Sequence, residues 1–126
     1  MSYVALATDA FASMVYFYGR RLRFPVVAEW DRATGRGCRF DLGGGLRLEL
    51  LDNAREKRGA KLLCSNERTH IVIEVADIES VWRNLALDVP MPQQTSWGAR
   101  IFQLRDPDGT ALTYLEWTQD QRGSTC

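Results

Sequence analysis

The chain has 126 residues, and its 16 basic and 16 acidic side chains cancel. This length suits one domain with a single core, and 45% hydrophobic with 25% charged residues is ordinary for a globular protein. Zero net charge gives no general attraction to nucleic acid or anionic lipid, and no apolar run nears the ~20 residues of a membrane span, so neither partner is expected.

Met1–Asp9 lacks the basic start, apolar stretch and cleavage site of a secretory signal. Cys38, Cys64 and Cys126 are odd in number and far apart, forming neither a Cys-x-x-Cys pair nor a disulfide framework. The cytoplasm is the expected compartment. All the basic residues but Lys57 and Lys61 are arginine, which favours bidentate carboxylate pairing and stacking on rings.

In chain order, Tyr3–Ala7 predicts a strand, and Asp9 predicts the cap of a helix running to about Arg21. Phe11, Met14, Val15, Tyr18 and Leu22 recur at its helical period. Val26–Trp30 and Gly37–Leu42 predict strands. Gly43-Gly44-Gly45 predicts a turn of permissive residues, and Leu46–Leu51 alternates so that Arg47 and Glu49 share one sheet face. The polar, charged segment 53–68 predicts a linker, with a short strand possible around 62–64.

His70–Val75 predicts a strand, and Asp77 predicts the cap of a helix to about Leu87 with an apolar stripe of Ile78, Val81, Trp82 and Leu85. Ala99–Leu104 and Ala111–Trp117 predict strands on either side of the turn signal Asp106-Pro-Asp-Gly109. Residues 119–126 predict a loose tail. The two halves match at an offset of about 67 residues. The expectation is one α+β domain of two βαβββ modules, about 2–52 and 69–118, whose curved mixed sheet surrounds a cleft with the helices outside.

Strand parity sharpens the repeat. Ile71, Ile73 and Val75 form the aliphatic face of their strand, so His70, Val72 and Glu74 face the other way. Setting Tyr3 against His70 puts Val4 and Leu6 on the matching aliphatic face. Pairing Leu48-Glu49-Leu50 with Leu115-Glu116-Trp117 puts both glutamates on the cleft side, with Tyr114 beside Glu116. Polar groups on a non-helix face need a wetter setting than a core, so one polar-lined cavity is expected.

Several cues fall in the order and spacing of a known family: Phe17-Tyr18 and Leu22-x-Phe24, then Thr69-His-Ile-Val-Ile-Glu-Val-Ala-Asp77, Trp97-Gly-Ala-Arg100, and Asp106-Pro-Asp-Gly109 followed by Leu115-Glu116. From about Tyr3 to Trp117 the chain resembles the vicinal oxygen chelate superfamily, which includes glyoxalase, bleomycin-resistance and extradiol-dioxygenase proteins. The resemblance implies paired βαβββ modules and a homodimer. Metal-dependent members place four ligands on the first and last strands of the modules, and here those positions read Tyr3 (Ser2 in the other register), Glu49, His70 and Glu116. A phenol with a pKa near ~10 is a poor ligand at neutral pH. His70 is the only histidine, so a two-histidine, one-carboxylate iron site cannot come from one chain.

Two uses of these residues stay open. Glu49, His70 and Glu116 could hold Mn, Fe or Zn with Glu116 moving a proton, or they could form a polar cluster without metal. Arg47 could pair with Glu49 or meet an anionic ligand, and Tyr114 is the ring expected to stack on a ligand. The favoured function is a binding protein of glyoxalase or bleomycin-resistance type that sequesters an aromatic or cationic compound, with Tyr3, Arg47, Glu49, His70, Tyr114 and Glu116 at the site. The alternatives are a divalent-metal lyase or isomerase and a ligand-free interaction dimer.

Overall fold

The computed structural model describes residues 2–55 and 69–119; the strand considered near 62–64 and residues 120–126 of the tail lie outside the described residues. The first module opens with β1 (Val4–Thr8), followed by α1 (Phe11–Tyr16), β2 (Val26–Arg32), β3 (Gly35–Gly43) and β4 (Leu46–Asp52). The second repeats the order with β5 (His70–Glu74), α2 (Ile78–Leu85), β6 (Gln93–Gln94), β7 (Ala99–Arg105) and β8 (Ala111–Trp117).

Each module forms one four-stranded mixed sheet, ordered β1-β4-β3-β2 and β5-β8-β7-β6. The outer strands β1 and β5 run parallel to β4 and β8, while the remaining pairs are antiparallel. This is the α+β architecture of two repeated modules expected from the duplicated pattern. Sequence patterning passes over β6 because two exposed glutamines carry no apolar alternation.

The helices form for different local reasons. Asp77 caps α2 as expected, accepting hydrogen bonds from the Ser80 backbone N–H at 3.2 Å and its hydroxyl at 2.9 Å. Those bonds hold the Asp77 carboxyl below the usual range. The helix stops at Leu85, two residues short of Leu87, because Ala86 turns left-handed, at φ 50°. Asp9, in contrast, does not cap α1. Thr8 Oγ1 accepts the Ala10 N–H at 2.9 Å, and the Asp9 carboxylate accepts from Asn53 Nδ2 instead. Helix α1 runs on into a π-helical turn, Phe17–Arg21, which brings Phe17, Tyr18 and Leu22 inward before Arg23 reverses the chain at φ 61°.

One hydrophobic core cluster spans both modules, joining Met14, Tyr18, Phe40, Leu48 and Leu50 to Ile73, Ile78, Phe102, Leu112 and Tyr114. A buried hydrogen bond also links the modules: the Tyr18 hydroxyl donates to Asp106 Oδ2 at 2.7 Å. Cys38 sits in this core, where burial, then the charge of Glu29, pushes its thiol up to about 11. It is therefore held as an unreactive thiol at neutral pH. Among the described residues, no helix is long and apolar enough to cross a membrane.

Candidate functional site

Helices cover one face of each sheet, and pairing register decides which side chains share the other. In module 1 the helix-free face takes Ala5 and Glu49, Ala7 and Leu51, Arg39, and Trp30 over Gly37. Gly37 must lack a side chain, since a Cβ there would collide with the Trp30 indole. In module 2 the same face takes His70, Val72 and Glu74 from β5, Thr113 and Leu115 from β8, and Gln103 from β7. Glu49, Leu51, Thr113 and Leu115 are buried on this side, while His70, Val72 and Glu74 at the β5 edge are exposed.

Glu49 lies on this face as expected, but its carboxylate is already engaged. Arg39 Nε and Nη2 donate to Glu49 Oε2 at 3.1 and 2.7 Å. The same guanidinium lies 4.2 Å over the Tyr3 ring and 5.7 Å from the Trp30 ring centroid. The hydrogen bond from Arg39 to Glu49 pushes the guanidinium pKa further up. Arg47 was the expected partner of Glu49, but Arg39 is opposite it in the β3–β4 ladder while Arg47 pairs in register with Asp41.

His70 is exposed, with Nε2 2.6 Å from Thr113 Oγ1. Gln103 Nε2 donates to the same Thr113 oxygen at 3.0 Å. On the same face the Trp117 indole N–H donates to Glu74 Oε1 at 2.9 Å, and Trp97 packs edge-on against Trp117 at 5.6 Å.

Two expected site residues face the opposite way. Tyr114 is 2% exposed, inside the core, and stacks on Phe102 with ring centroids 4.7 Å apart. Glu116 Oε1 accepts the backbone N–H of Ile78 at 2.8 Å, so it satisfies an orphan donor at the start of α2. The expected convergence of Glu49, His70 and Glu116 is therefore not found. Among the described residues, no three His, Cys, Asp or Glu side chains are grouped to hold a metal ion.

The physical reason is register. The pair Ala5–Glu49 corresponds to Val72–Thr113, so Thr113 is the structural counterpart of Glu49. Glu116 lies three residues farther on, and an odd slip moves a side chain to the other face. Counting from the turns exposes this: Glu49 is the fourth residue after Gly45, and Thr113 the fourth after Gly109. Sequence reasoning missed Arg39, Thr113 and Gln103. Alternation through Gly37, Arg39 and Asp41 was the available signal for Arg39.

With this geometry in place, the sequence model of the Glyoxalase/Bleomycin resistance protein/Dioxygenase superfamily is found to match residues 1–114. The chain belongs to that superfamily. No curated protein matches it. Among solved structures of this fold, a glyoxalase/bleomycin resistance protein/dioxygenase from Nocardioides superposes with TM-score 0.72 at 20% identity, covering 99% of this chain and 87% of that one. TnmS3, an antibiotic binding protein from Streptomyces sp. CB03234, gives 0.64 at 18% identity, covering 91% and 93%. Lactoylglutathione lyase from Agrobacterium tumefaciens gives 0.67 at 17%, covering 92% of both chains. These likenesses establish the fold.

A divalent metal of the kind implied by the superfamily resemblance does not fit the donors present. Glu49 is closed by a guanidinium, its counterpart is a threonine, and Glu116 serves the helix side.

Proposed function

We propose that this superfamily member binds a small aromatic compound on the helix-free face without using a metal, as a cytoplasmic homodimer. The observation that carries the reading is the Arg39–Glu49 pair stacked against Tyr3. It neutralises the carboxylate that a cation or metal would need, and leaves the Tyr3 and Trp30 rings beside it. Tyr3 is 46% exposed beside that pair, while Trp30 and Trp117 lie on the same face and the Thr113 hydroxyl and Gln103 amide supply polar contacts. That TnmS3, which shares the fold, is an antibiotic binding protein is in keeping with such a role.

Tryptophan fluorescence titrations with 2-naphthol and with cationic acridine orange test this reading. The expected result is saturable quenching by both, weakened about threefold to tenfold by Tyr3→Ala, the range of one aromatic contact. Stoichiometric Mn, Fe or Zn retained through dialysis would replace this reading with the metal-dependent lyase or isomerase. No saturable quenching by either compound would favour the interaction dimer, and a monomer by sedimentation at micromolar concentration would remove the dimer itself.

A further inference from the structure

A cavity of about 430 Å³ lies on the opposite, helix-covered side, where the two modules meet. Leu22, Arg23 and Phe24 wall it from module 1, and Val81, Leu85 and Tyr114 from module 2. At about 30 Å³ per water-sized group it has room for roughly a dozen. Its apolar walls suit a compact ring better than water.

Two polar groups of this wall are not engaged by other described residues. Tyr114 is 2% exposed and makes no side-chain hydrogen bond among the described residues, and its hydroxyl is not one of the fully enclosed unpartnered atoms, so it opens onto the cavity. Arg23 is exposed, makes no ion pair or hydrogen bond among the described residues, and is held at φ 61°, where a non-glycine residue is strained. Glu74 also borders the cavity, but its carboxylate accepts the Trp117 indole N–H on the helix-free face.

We propose that this cavity is a second binding site, for a small aromatic acid whose carboxylate meets Arg23 and whose far end carries an oxygen that accepts from the Tyr114 hydroxyl. Arginine at the mouth offers a planar donor fork for a carboxylate. Burial pushes the Tyr114 phenol up, which keeps it a donor at neutral pH. The site is independent of the helix-free face: it draws on different residues and on the other side of the sheets.

The test is a titration of the ¹⁵N-labelled chain with 3-(4-hydroxyphenyl)propanoate, followed by amide shifts. Saturable shifts are expected at Arg23, Phe24, Val75 and Leu85. Arg23→Gly accommodates the positive φ, so it should fold at least as stably while weakening binding about tenfold, the scale of a charge-assisted contact. It should also erase the preference over 4-ethylphenol, which lacks the carboxylate. Tyr114→Phe should weaken binding about threefold to tenfold and erase the preference over 3-phenylpropanoate, which lacks the far oxygen. Shifts confined to Tyr3, Arg39 and Thr113 would place the compound on the other face and overturn the proposal. So would non-saturable shifts, or an affinity unchanged in Arg23→Gly, which decides the matter even if Tyr114→Phe does not fold.

Discussion

An Asp106→Ala variant is expected to lose about 3 kcal/mol of stability, a large share of the ~5–15 kcal/mol typical of a domain. Asp106 is 4% exposed and serves three donors at once. Oδ2 accepts the Tyr18 hydroxyl at 2.7 Å, and Oδ1 accepts the backbone N–H groups of Asp108 and Thr110, each at 2.9 Å. Removing the carboxylate strands the Tyr18 hydroxyl and the Thr110 N–H in buried positions, and each orphaned donor costs about 1–3 kcal/mol. Tyr18→Phe removes one donor and leaves the turn's own bonds intact, so about 1 kcal/mol is expected. Urea unfolding read by tryptophan fluorescence, with the midpoint shifting at constant slope, measures both. A loss below about 1 kcal/mol for Asp106→Ala would mean that water replaces the carboxylate.

The same tyrosine gives a pH signature of definite sign. Burial, and then the charge of Asp106, push the Tyr18 phenol above its ordinary value of 10.0. The unfolded chain ionises near that value while the folded one keeps the proton. Stability is therefore fully present below pH 10 and falls as pH rises beyond it, by about 1.4 kcal/mol per pH unit for each such tyrosine. Tyr114, raised by burial alone, adds an equal slope. Above pH 11, where the Cys38 thiol no longer adds a loss of its own, Tyr18→Phe should thus flatten the alkaline loss by about half.

Much of this fold was legible because its signals are local. Helical spacing of Phe11, Met14, Val15 and Tyr18, the Asp77 cap, and alternation in Leu46–Leu51 each follow from a few neighbouring residues. The duplicated order then fixes the two-module architecture. What patterning could not supply was the relative register of strands far apart in sequence. β8 is buried on both faces, with Leu112, Thr113, Tyr114 and Leu115 all inaccessible, so hydrophobicity does not mark its inner face. A three-residue misalignment against β4 therefore passed unnoticed and carried Tyr114 and Glu116 to the wrong side. β4 presents the opposite case. Its alternation of leucine with Arg47 and Glu49 marks the faces, and Glu49 stands where alternation puts it. The Arg39 pairing needed one further step, the β3–β4 turn register, which the bulge between Asp41 and Gly43 shifts.

Removing Arg39 is expected to do two things at once, and their combination separates a structural ion pair from a binding element. Glu49 has 4% side-chain exposure against 26% for Arg39, so Arg39→Ala leaves a buried carboxylate without its counter-charge. Breaking a pair of this kind is far more damaging than replacing both partners by apolar groups. The melting temperature should fall by roughly 5–10 °C in Arg39→Ala, and by only a few degrees in the Arg39→Met, Glu49→Leu double variant. The ligand preference should shift toward the cation in the single variant. The Tyr3 ring loses the guanidinium stacked 4.2 Å above it, which loosens its orientation and weakens 2-naphthol. The uncovered Glu49 carboxylate now attracts a cation, which strengthens acridine orange. The double variant removes that attraction and should bind both compounds without regard to charge. If Arg39→Ala destabilises but leaves the naphthol-to-acridine ratio unchanged, the Arg39–Glu49 pair serves the fold alone, and the aromatic site lies away from Tyr3.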